Sequence, residues 1–259
     1  MSESVIVSHK KDRIGTIRLN RPKAMNTFTP ELADQLDSAL WTFERDPEIL
    51  VIMLEAAGEH FCTGIALDQF DDKSQREYRE FLYRIDAFYH TLWQMKTITI
   101  ALVQGYALAN GAGLAFAADF TIAAQSAVFG TTAINVGLIC LGPAAPMIRI
   151  VGRKKTLELV LTGEMVSAEK ALQMGLVNQV VADDQLQQSA RKLAETLAEK
   201  SPLALKIGKE GINRLVNSPC YDEGLMCMDD LFATLCSTQD AKEGVKAFME
   251  KRKPNWQGR

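Results

Sequence analysis

Residues Gly105 to Phe120 read GYALANGAGLAFAADF, which is an apolar extended run, a glycine-containing turn and a second apolar run of helical character. A turn with Gly111 and Gly113 between a strand and a helix exposes unpaired backbone N–H groups at the positive end of the helix dipole. Glycine also lets a ligand approach the backbone closely. The stretch therefore predicts a receptor for negative charge where a strand meets a helix.

An earlier segment, EAAGEHFCTGIALDQF at residues 55–70, has the same form, with Gly58 and Gly64 in the loop that follows a strand. Two such loops could aim two N–H groups at one oxygen atom. Taken alone, each loop is explained equally well as an ordinary strand-to-helix connection in which glycine adopts strained backbone dihedral angles. Neither matches a phosphate-binding fingerprint, because G-x-G-x-x-G after a strand and G-x-x-x-x-G-K-S/T are both missing from the sequence. The pair of loops is the functional signal.

Short strands and helices alternate over the first part of the chain, which favours an α/β core. Leu32, Leu36 and Leu40 share one face of a helix predicted over Pro30–Arg45, with Thr29 as its cap. The other predicted elements are a hairpin (5–8 and 14–19), strands at 50–55, 98–108, 120–125 and 127–132, and one aromatic-rich helix from about 75 to 95.

From Asp183 onward the pattern is helical. Ser201 and Pro202 are start signals for one helix, and two more follow before the end. A helical tail after an α/β core predicts a separate lobe, so we expect a core of residues 1–200 and a C-terminal lobe of residues 201–259 that makes oligomer contacts.

Composition excludes several classes of function. The chain has 259 residues, 47% hydrophobic and 24% charged, with a formal net charge of -3. No global positive field exists to hold a nucleic acid or an anionic membrane. The five cysteines are scattered without a C-x-x-C pair, so we expect reduced thiols, no disulfide framework and no metal site. The N-terminus lacks the apolar core of a signal peptide, and no apolar run is long enough to span a membrane, so we predict a cytoplasmic protein.

Motifs along nearly the full chain resemble those of the crotonase (enoyl-CoA hydratase/isomerase) superfamily. They are LNRPKAMNTF, GEHFCTGIALDQF, QGYALANGAGLAFAADFTIAA, IVGRKKTLELVLTGEMVSAEKALQMGLVNQVV and EGVKAFMEKRKPNW. The fourth motif and the C-terminal ending are highly specific in combination. The resemblance implies a crotonase-like spiral of repeated ββα units with a C-terminal helical oligomerisation lobe, assembled as a homotrimer or a dimer of trimers.

In such proteins two peptide N–H groups form an oxyanion hole for the carbonyl of an acyl-CoA thioester. The resemblance places these groups at Ile65 and Asn110, with Gly111 as the alternative if the alignment shifts by one residue. Stabilisation of an enolate oxygen is a need shared by hydration, isomerisation and decarboxylation of thioesters. The resemblance therefore implies an acyl-CoA substrate.

The resemblance also implies contacts with coenzyme A, which enters as part of the substrate, and no separate cofactor. The implied contacts are Lys23, Ala24 and Met25, then Cys62, Ala66 and Leu67, and, from a neighbouring subunit, Phe248 and Lys251. Without the resemblance, Lys23 and Lys251 are solvated surface charges and Phe248 is a core residue.

Hydratases of this family typically use two glutamates as acid and base, and both are missing. The first position is Gly113, three residues after Asn110, and the second is Ala133 in FGTTA, where the family pattern is FGxPE. Glycine and alanine cannot exchange protons, so a two-glutamate hydration mechanism does not carry over. The family's usual aspartate after the first oxyanion residue is Ala66, and its PGAGGTQR run reads CLGPAAPM here.

Other polar residues are candidates for the missing proton chemistry, and each also has an ordinary structural explanation. A cysteine nucleophile needs a lowered pKa, and only His60 lies beside a cysteine in the sequence. The candidates are Asp68, Asp119, Cys62, Cys140, Tyr89, His90 and Tyr106.

The predicted aromatic helix corresponds to the segment that lines the acyl pocket in the family. Phe81, Ile85, Phe88 and Tyr89 recur at helical spacing, which an amphipathic helix packed on the core explains equally. As a group, these side chains suit a ring-bearing or bulky acyl chain.

Two functions remain open from the sequence. One is an acyl-CoA lyase or isomerase with an atypical proton donor or with acid and base groups from the substrate. The alternative is a non-catalytic acyl-CoA-binding or regulatory protein on the same scaffold. A thioester hydrolase is a third interpretation, for which no positioned nucleophile is found.

Overall fold

The computed structural model describes residues 4–259, and over these residues the chain forms two β-sheets and ten α-helices. The strands are β1 (Ile6–Lys11), β2 (Ile14–Leu19), β3 (Val51–Ala56), β4 (Ile98–Val103), β5 (Tyr106–Leu108), β6 (Phe120–Ala124), β7 (Val128–Gly130), β8 (Met165–Ser167) and β9 (Gln179–Val181). The helices are α1 (Pro30–Arg45), α2 (Gln75–Ile85), α3 (Ala87–Gln94), α4 (Asn110–Ala117), α5 (Leu141–Thr162), α6 (Ala168–Met174), α7 (Leu186–Ala198), α8 (Pro202–Asn217), α9 (Tyr221–Cys236) and α10 (Gln239–Met249).

The larger sheet has six strands in the order β1-β2-β3-β4-β6-β9, and only the β1–β2 pair is antiparallel. All six residues of β4 are buried, which is typical of a parallel strand covered on both faces. One face packs against Leu186, Ala190 and Ala194 of α7, and the other belongs to the main hydrophobic core. The predicted α/β core is confirmed.

The smaller sheet, β5-β7-β8, positions the candidate site. The chain leaves β4 and continues into β5, which pairs in parallel with β7. Cys62, from the loop after β3, forms a parallel bridge with Ala107 on the other side of β5. The two glycine loops recognised in the sequence are therefore held together by backbone pairing.

The predicted helix over Pro30–Arg45 is confirmed, and the Thr29 hydroxyl accepts a hydrogen bond from the Leu32 N–H at 3.3 Å. The single helix predicted from about 75 to 95 is wrong, because the chain breaks between α2 and α3 at Asp86 (φ −92°, ψ 4°). Apolar spacing continues across the break through Ile85 and Phe88, both buried, so periodicity alone does not reveal it.

The C-terminal helices α8 to α10 follow α7, and α8 is anchored to the sheet by a partly buried ion pair. The Lys209 ammonium donates to Asp119 Oδ2 at 2.8 Å and to the Thr97 carbonyl at 2.9 Å. Asp119 Oδ2 also accepts from the Thr99 N–H at 2.8 Å. Asp119 is thus a structural residue. The domain boundary and the oligomer contacts of the lobe stay predictions.

Among residues 4–259, no helix combines the length and the hydropathy needed to cross a lipid bilayer.

Candidate functional site

The loop after β3 and the turn before α4 meet at the end of β5. The Cys62 N–H donates to the Tyr106 carbonyl at 3.1 Å, and the Cys62 carbonyl accepts from the Leu108 N–H at 2.9 Å. Gly64 has φ +99°, and a Cβ added there would lie only 2.7 Å from the Ala109 Cβ and 3.7 Å from the Asn110 nitrogen. Glycine is required at 64 because both its backbone conformation and this close approach exclude a side chain.

Two backbone N–H groups are left free at this junction. The Gly64 carbonyl accepts from the Phe28 N–H at 2.8 Å and the Ala66 N–H donates to the Phe28 carbonyl at 3.0 Å, while Ile65 lies between them. Asn110 begins α4, where the first N–H groups have no partner within the helix. Within residues 4–259, neither the Ile65 N–H nor the Asn110 N–H donates a hydrogen bond. The α4 dipole favours negative charge at this end.

Strained backbone fixes the direction of the turn. Ala109 has φ 46° and ψ −122°, a conformation that favours glycine, and its N–H donates to the Gly130 carbonyl at 2.8 Å. Residues held in such regions cost about 1–3 kcal/mol each, and they cluster at functional sites. A Cβ on Gly111 would collide with the Cys62 carbonyl oxygen, which explains the second glycine of the turn.

Lys23 to Met25, which are predicted to contact coenzyme A, are attached to the loop after β3 by the next residue, Asn26. The Asn26 side chain is fully buried. Its side-chain amide donates to the carbonyls of Ala57 at 2.9 Å and His60 at 2.8 Å, and its Oδ1 accepts from the Arg21 N–H at 2.8 Å. Asn26 has φ 54°, a left-handed conformation in which asparagine is enriched. The sequence analysis did not identify this organising residue.

The structure brings together most of the residues predicted to contact coenzyme A. The Thr63 N–H donates to the Met25 carbonyl at 3.2 Å, which joins the two segments. The Cys62 side chain is fully buried in the core, and the predicted contact of this residue with coenzyme A stays a prediction. The exposed members are Lys23, Met25 and Leu67, and the partly exposed ones are Ala24 and Ala66.

Phe248 and Lys251 lie at the end of α10, far along the chain from the two loops. The Phe248 side chain is 83% exposed, so the interpretation of this residue as core is wrong. Lys251 is exposed and has φ 53°. Their contact with the coenzyme A of a neighbouring subunit stays a prediction.

Tyr89 fills the space beside Gly113, the position at which the resemblance implies a first glutamate in hydratases. A Cβ on Gly113 would overlap the Tyr89 hydroxyl oxygen and would lie 3.1 Å from Pro143 Cγ. The ring of Tyr89 is partly exposed, but its hydroxyl oxygen is buried and, within residues 4–259, has no hydrogen-bond partner. Burial, with a further effect of the nearby Asp86, raises the pKa of Tyr89 well above its ordinary value, so the hydroxyl stays protonated.

Asp86, at the break between α2 and α3, faces the turn before α4. Its Oδ1 accepts a hydrogen bond from the side-chain amide of Asn110 at 2.8 Å. A Cβ on Gly142 would lie 3.3 Å and 3.4 Å from the two carboxylate oxygens. Burial raises the pKa of Asp86, against the hydrogen bond from Asn110 and the nearby His90, which lower it. The sequence analysis missed Asp86 because a continuous helix was predicted across it.

Ala133, the position at which the resemblance implies a second glutamate in hydratases, lies in a short 3₁₀ turn, Thr132–Val136. Its carbonyl accepts the Leu138 N–H at 3.0 Å. The neighbouring Cys140 is buried, and burial raises the pKa of its thiol against a hydrogen bond to the Ala133 backbone. The methyl side chain of Ala133 cannot donate or accept a proton.

The remaining polar candidates do not form a catalytic group. Asp68 is exposed and accepts from its neighbour Gln69 at 3.1 Å. His60 Nδ1 accepts from the Tyr106 N–H at 3.3 Å, and the two rings pack with centroids 4.7 Å apart. Burial raises the pKa of Cys62 to about 12, which disfavours the thiolate that a nucleophile needs. His90 is exposed.

Three of the four residues predicted to line the acyl pocket belong to the main core. Ile85 has no exposed surface, Phe88 is 1% exposed and stacks on Phe28 at 5.2 Å, and Phe81 is 8% exposed. These side chains pack within the protein, and their role in lining an acyl pocket stays a prediction. Of these four residues, only Tyr89 brings a polar atom to the candidate site.

Among residues 4–259, no group of three or more His, Cys, Asp or Glu side chains is arranged to hold a metal ion.

Comparisons with known proteins agree on one family. The profile of the family described as Enoyl-CoA hydratase/isomerase matches residues 9–259. A probable enoyl-CoA hydratase of Mycobacterium bovis is 34% identical over 257 residues, covering 99% of both chains. A crotonyl-CoA hydratase of Syntrophomonas wolfei is 30% identical over 258 residues, also covering 99% of both. The crystal structure of an enoyl-CoA hydratase from Mycobacterium smegmatis superposes with a TM-score of 0.94 at 31% identity, covering 98% of this chain and 99% of that one.

Proposed function

The chain belongs to the enoyl-CoA hydratase/isomerase family, and from that premise we propose that it is an acyl-CoA lyase or isomerase whose oxyanion hole is formed by the N–H groups of Ile65 and Asn110. The reaction passes through an enolate of the thioester. The usual glutamates are replaced by Gly113 and Ala133, so other groups move the proton.

One observation carries the proposal. Two loops that are distant in sequence present the N–H groups of Ile65 and Asn110, and among residues 4–259 neither N–H donates a hydrogen bond. Gly64, which precedes Ile65, lies against the Asn110 nitrogen. A thioester oxygen that accepts both hydrogen bonds gains negative charge as the C2 proton leaves. Each preorganised donor of this kind lowers the barrier by about 3–4 kcal/mol, because it is more strongly engaged in the enolate than in the ground state.

Coenzyme A is bound, in this proposal, along the exposed segment that includes Lys23, Met25 and Leu67. Thr63 and Asn26 attach this segment to the loop of Ile65. Phe248 and Lys251 cover the nucleotide from a neighbouring subunit, which requires a homotrimer or a dimer of trimers. The exposure of the Phe248 ring supports that arrangement.

The test combines binding and chemistry in the same samples. The purified protein is mixed with a panel of acyl-CoA and enoyl-CoA thioesters with straight and cyclic acyl groups, with binding measured by calorimetry and products by mass spectrometry. We expect binding with turnover of at least one thioester. Binding without turnover across the panel would instead support the carrier function, and no binding would reject an acyl-CoA protein altogether.

A variant pair tests the oxyanion hole itself. Ile65→Pro removes the N–H, and Ile65→Val keeps it in a smaller side chain. We expect Ile65→Pro to lose about 10²–10³ in turnover, as for removal of one oxyanion donor, whereas Ile65→Val stays close to the wild type. Thermal unfolding of both variants separates a lost donor from a lost fold. Equal turnover of the two folded variants would exclude this N–H from the reaction.

A further inference from the structure

Neither Gly113 nor Ala133 can supply an acid or a base. A cluster beside the oxyanion hole contains a carboxyl group that could, and it consists of Asp86, Tyr89, Asn110 and Gly113. We infer that the Asp86 carboxyl is the catalytic acid/base of this protein and that it moves a proton between C2 and C4 of a 3-enoyl-CoA thioester. This inference rests on the proposed function, because it assumes that the thioester oxygen is held at Ile65 and Asn110.

Asp86 is fixed beside the oxyanion hole by the residue that forms it. The Asn110 backbone supplies the N–H, and the Asn110 side-chain amide donates to Asp86 Oδ1 at 2.8 Å. Within residues 4–259, no side chain or backbone group donates to Asp86 Oδ2, which leaves that oxygen available to a substrate proton. Gly142 is required beside it, because a side chain there would press on both carboxylate oxygens.

The environment of Asp86 makes its carboxylate a stronger base than that of an exposed aspartate. Burial raises the pKa of this carboxyl, and a base with a pKa closer to the working pH takes and returns a proton more effectively. Unlike Asp34, which is paired with Arg84 at 2.6 Å, Asp86 has no cation held against it in an ion pair among residues 4–259.

Tyr89 determines which reaction a single carboxyl can complete. Its ring and hydroxyl fill the space beside Gly113, where the first glutamate of a hydratase would extend. The hydroxyl is buried and unpartnered, so it is a polar atom that gains a partner only when something binds. In a hydratase the glutamate at this place activates water, whereas here the Tyr89 ring and hydroxyl exclude water from the same space. An isomerisation needs no water, so it is compatible with Tyr89.

The step balances with one proton and no co-reactant. The Asp86 carboxylate takes a proton from C2, so a C–H bond breaks, an O–H bond forms, and the electron pair spreads over a dienolate whose oxygen is held by Ile65 and Asn110. The same carboxyl then returns the proton to C4, and the double bond moves from C3–C4 to C2–C3. A single residue is sufficient because the proton removed is the proton returned.

The experiment compares Asp86→Asn with wild type and with Asp34→Asn, which alters a carboxylate on the neighbouring α1. Butanoyl-CoA binding is measured by calorimetry, and conversion of 3-butenoyl-CoA to 2-butenoyl-CoA by NMR. We expect Asp86→Asn to bind with an unchanged Kd and to lose about 10²–10⁴ in rate, and Asp34→Asn to match the wild type. Asp86→Glu keeps a carboxyl and should retain part of the rate, with its acid limb in the pH profile shifted.

The outcomes separate the two proposals. If wild type binds no acyl-CoA, the proposed function fails. If wild type binds butanoyl-CoA but converts no 3-butenoyl-CoA, the isomerase assignment is overturned while acyl-CoA binding stands. If Asp86→Asn converts the substrate as fast as wild type, Asp86 is not the catalytic group. Where Asp86→Asn does not fold, the Asp86→Glu pH profile decides, because an unshifted acid limb in that variant overturns the assignment.

Discussion

The hydroxyl oxygen of Tyr89 occupies the space into which any side chain at Gly113 would extend. Tyr89 lies on α3 and Gly113 on α4, so the contact exists only because the two helices pack together. Tyr89 in this position is therefore compatible only with a residue that has no side chain at 113. Several consequences can be measured.

Gly113→Ala should destabilise the protein. The added methyl group overlaps the Tyr89 hydroxyl and lies 2.8 Å from Tyr89 Cζ, and overpacking of this kind costs about 1–3 kcal/mol. Urea unfolding gives the free energy. The matched control is Gly208→Ala in α8, where a Cβ meets nothing within 4 Å and the substitution should be neutral or stabilising. In the Tyr89→Ala background the cost of Gly113→Ala should largely vanish; a cost that is the same in both backgrounds would show that Tyr89 is not its cause.

Glutamates introduced at positions 113 and 133 should not by themselves create hydration of crotonyl-CoA. In Gly113→Glu/Ala133→Glu the new glutamate at 113 meets the Tyr89 ring, so it cannot reach the position of the substrate. Adding Tyr89→Ala opens that space to the carboxylate and to water. We expect the hydrated product, detected by mass spectrometry, only with all three substitutions. Hydration by the double variant would mean that α3 moves aside easily, and Tyr89→Ala alone is the control for water entry without glutamates.

The pH dependence of stability should distinguish Asp86 from Asp34. The folded state raises the pKa of Asp86 above its ordinary 3.8, so the stability that the protonated carboxyl contributes is present below pH 3.8 and is lost as the pH rises through the raised value. Asparagine does not titrate. The free energy of unfolding of wild type should therefore fall relative to Asp86→Asn as the pH rises through this window.

Asp34 supplies the control of opposite sign. The hydrogen bond from Arg84 lowers the pKa of Asp34 below 3.8, so its contribution is present above pH 3.8 and is lost as the pH falls through the lowered value. As the pH rises, wild type should gain stability relative to Asp34→Asn below pH 3.8 and lose stability relative to Asp86→Asn above pH 3.8. Urea unfolding of the three proteins across pH tests both signs, and curves of equal slope would contradict the burial of Asp86.

Cys62 should resist alkylation in the native protein. Its side chain is fully buried, and burial raises the pKa of its thiol to about 12, so almost no thiolate is present at neutral pH. Mass spectrometry after iodoacetamide treatment should find Cys62 unlabelled in buffer and labelled in urea. Cys140, 3% exposed and also with a raised pKa, should behave in the same way. Rapid labelling of Cys62 in buffer would revive the nucleophile hypothesis.

Parts of the molecule follow from local sequence alone. The helix over Pro30–Arg45 was predicted with its bounds, because its cap, its proline and its leucine spacing are all local signals. The strand LVIMLE and the two glycine turns were found for the same reason. The resemblance predicts from the sequence that Gly113 and Ala133 stand where hydratases carry glutamates, and this stays a prediction. Family membership is confirmed by the comparisons.

Tertiary packing decided the rest. The continuous apolar spacing of residues 75–95 hides the break at Asp86, because buried faces of consecutive helices can remain in phase. The same packing moved Phe81, Ile85 and Phe88 into the core. It also placed Asp86 against Asn110, and Tyr89 against Gly113. Sequence by itself determined the family and the glycine loops, since these depend on residue identity. Which polar groups lie beside those loops depends on distances between α3 and α4, which only the folded chain sets.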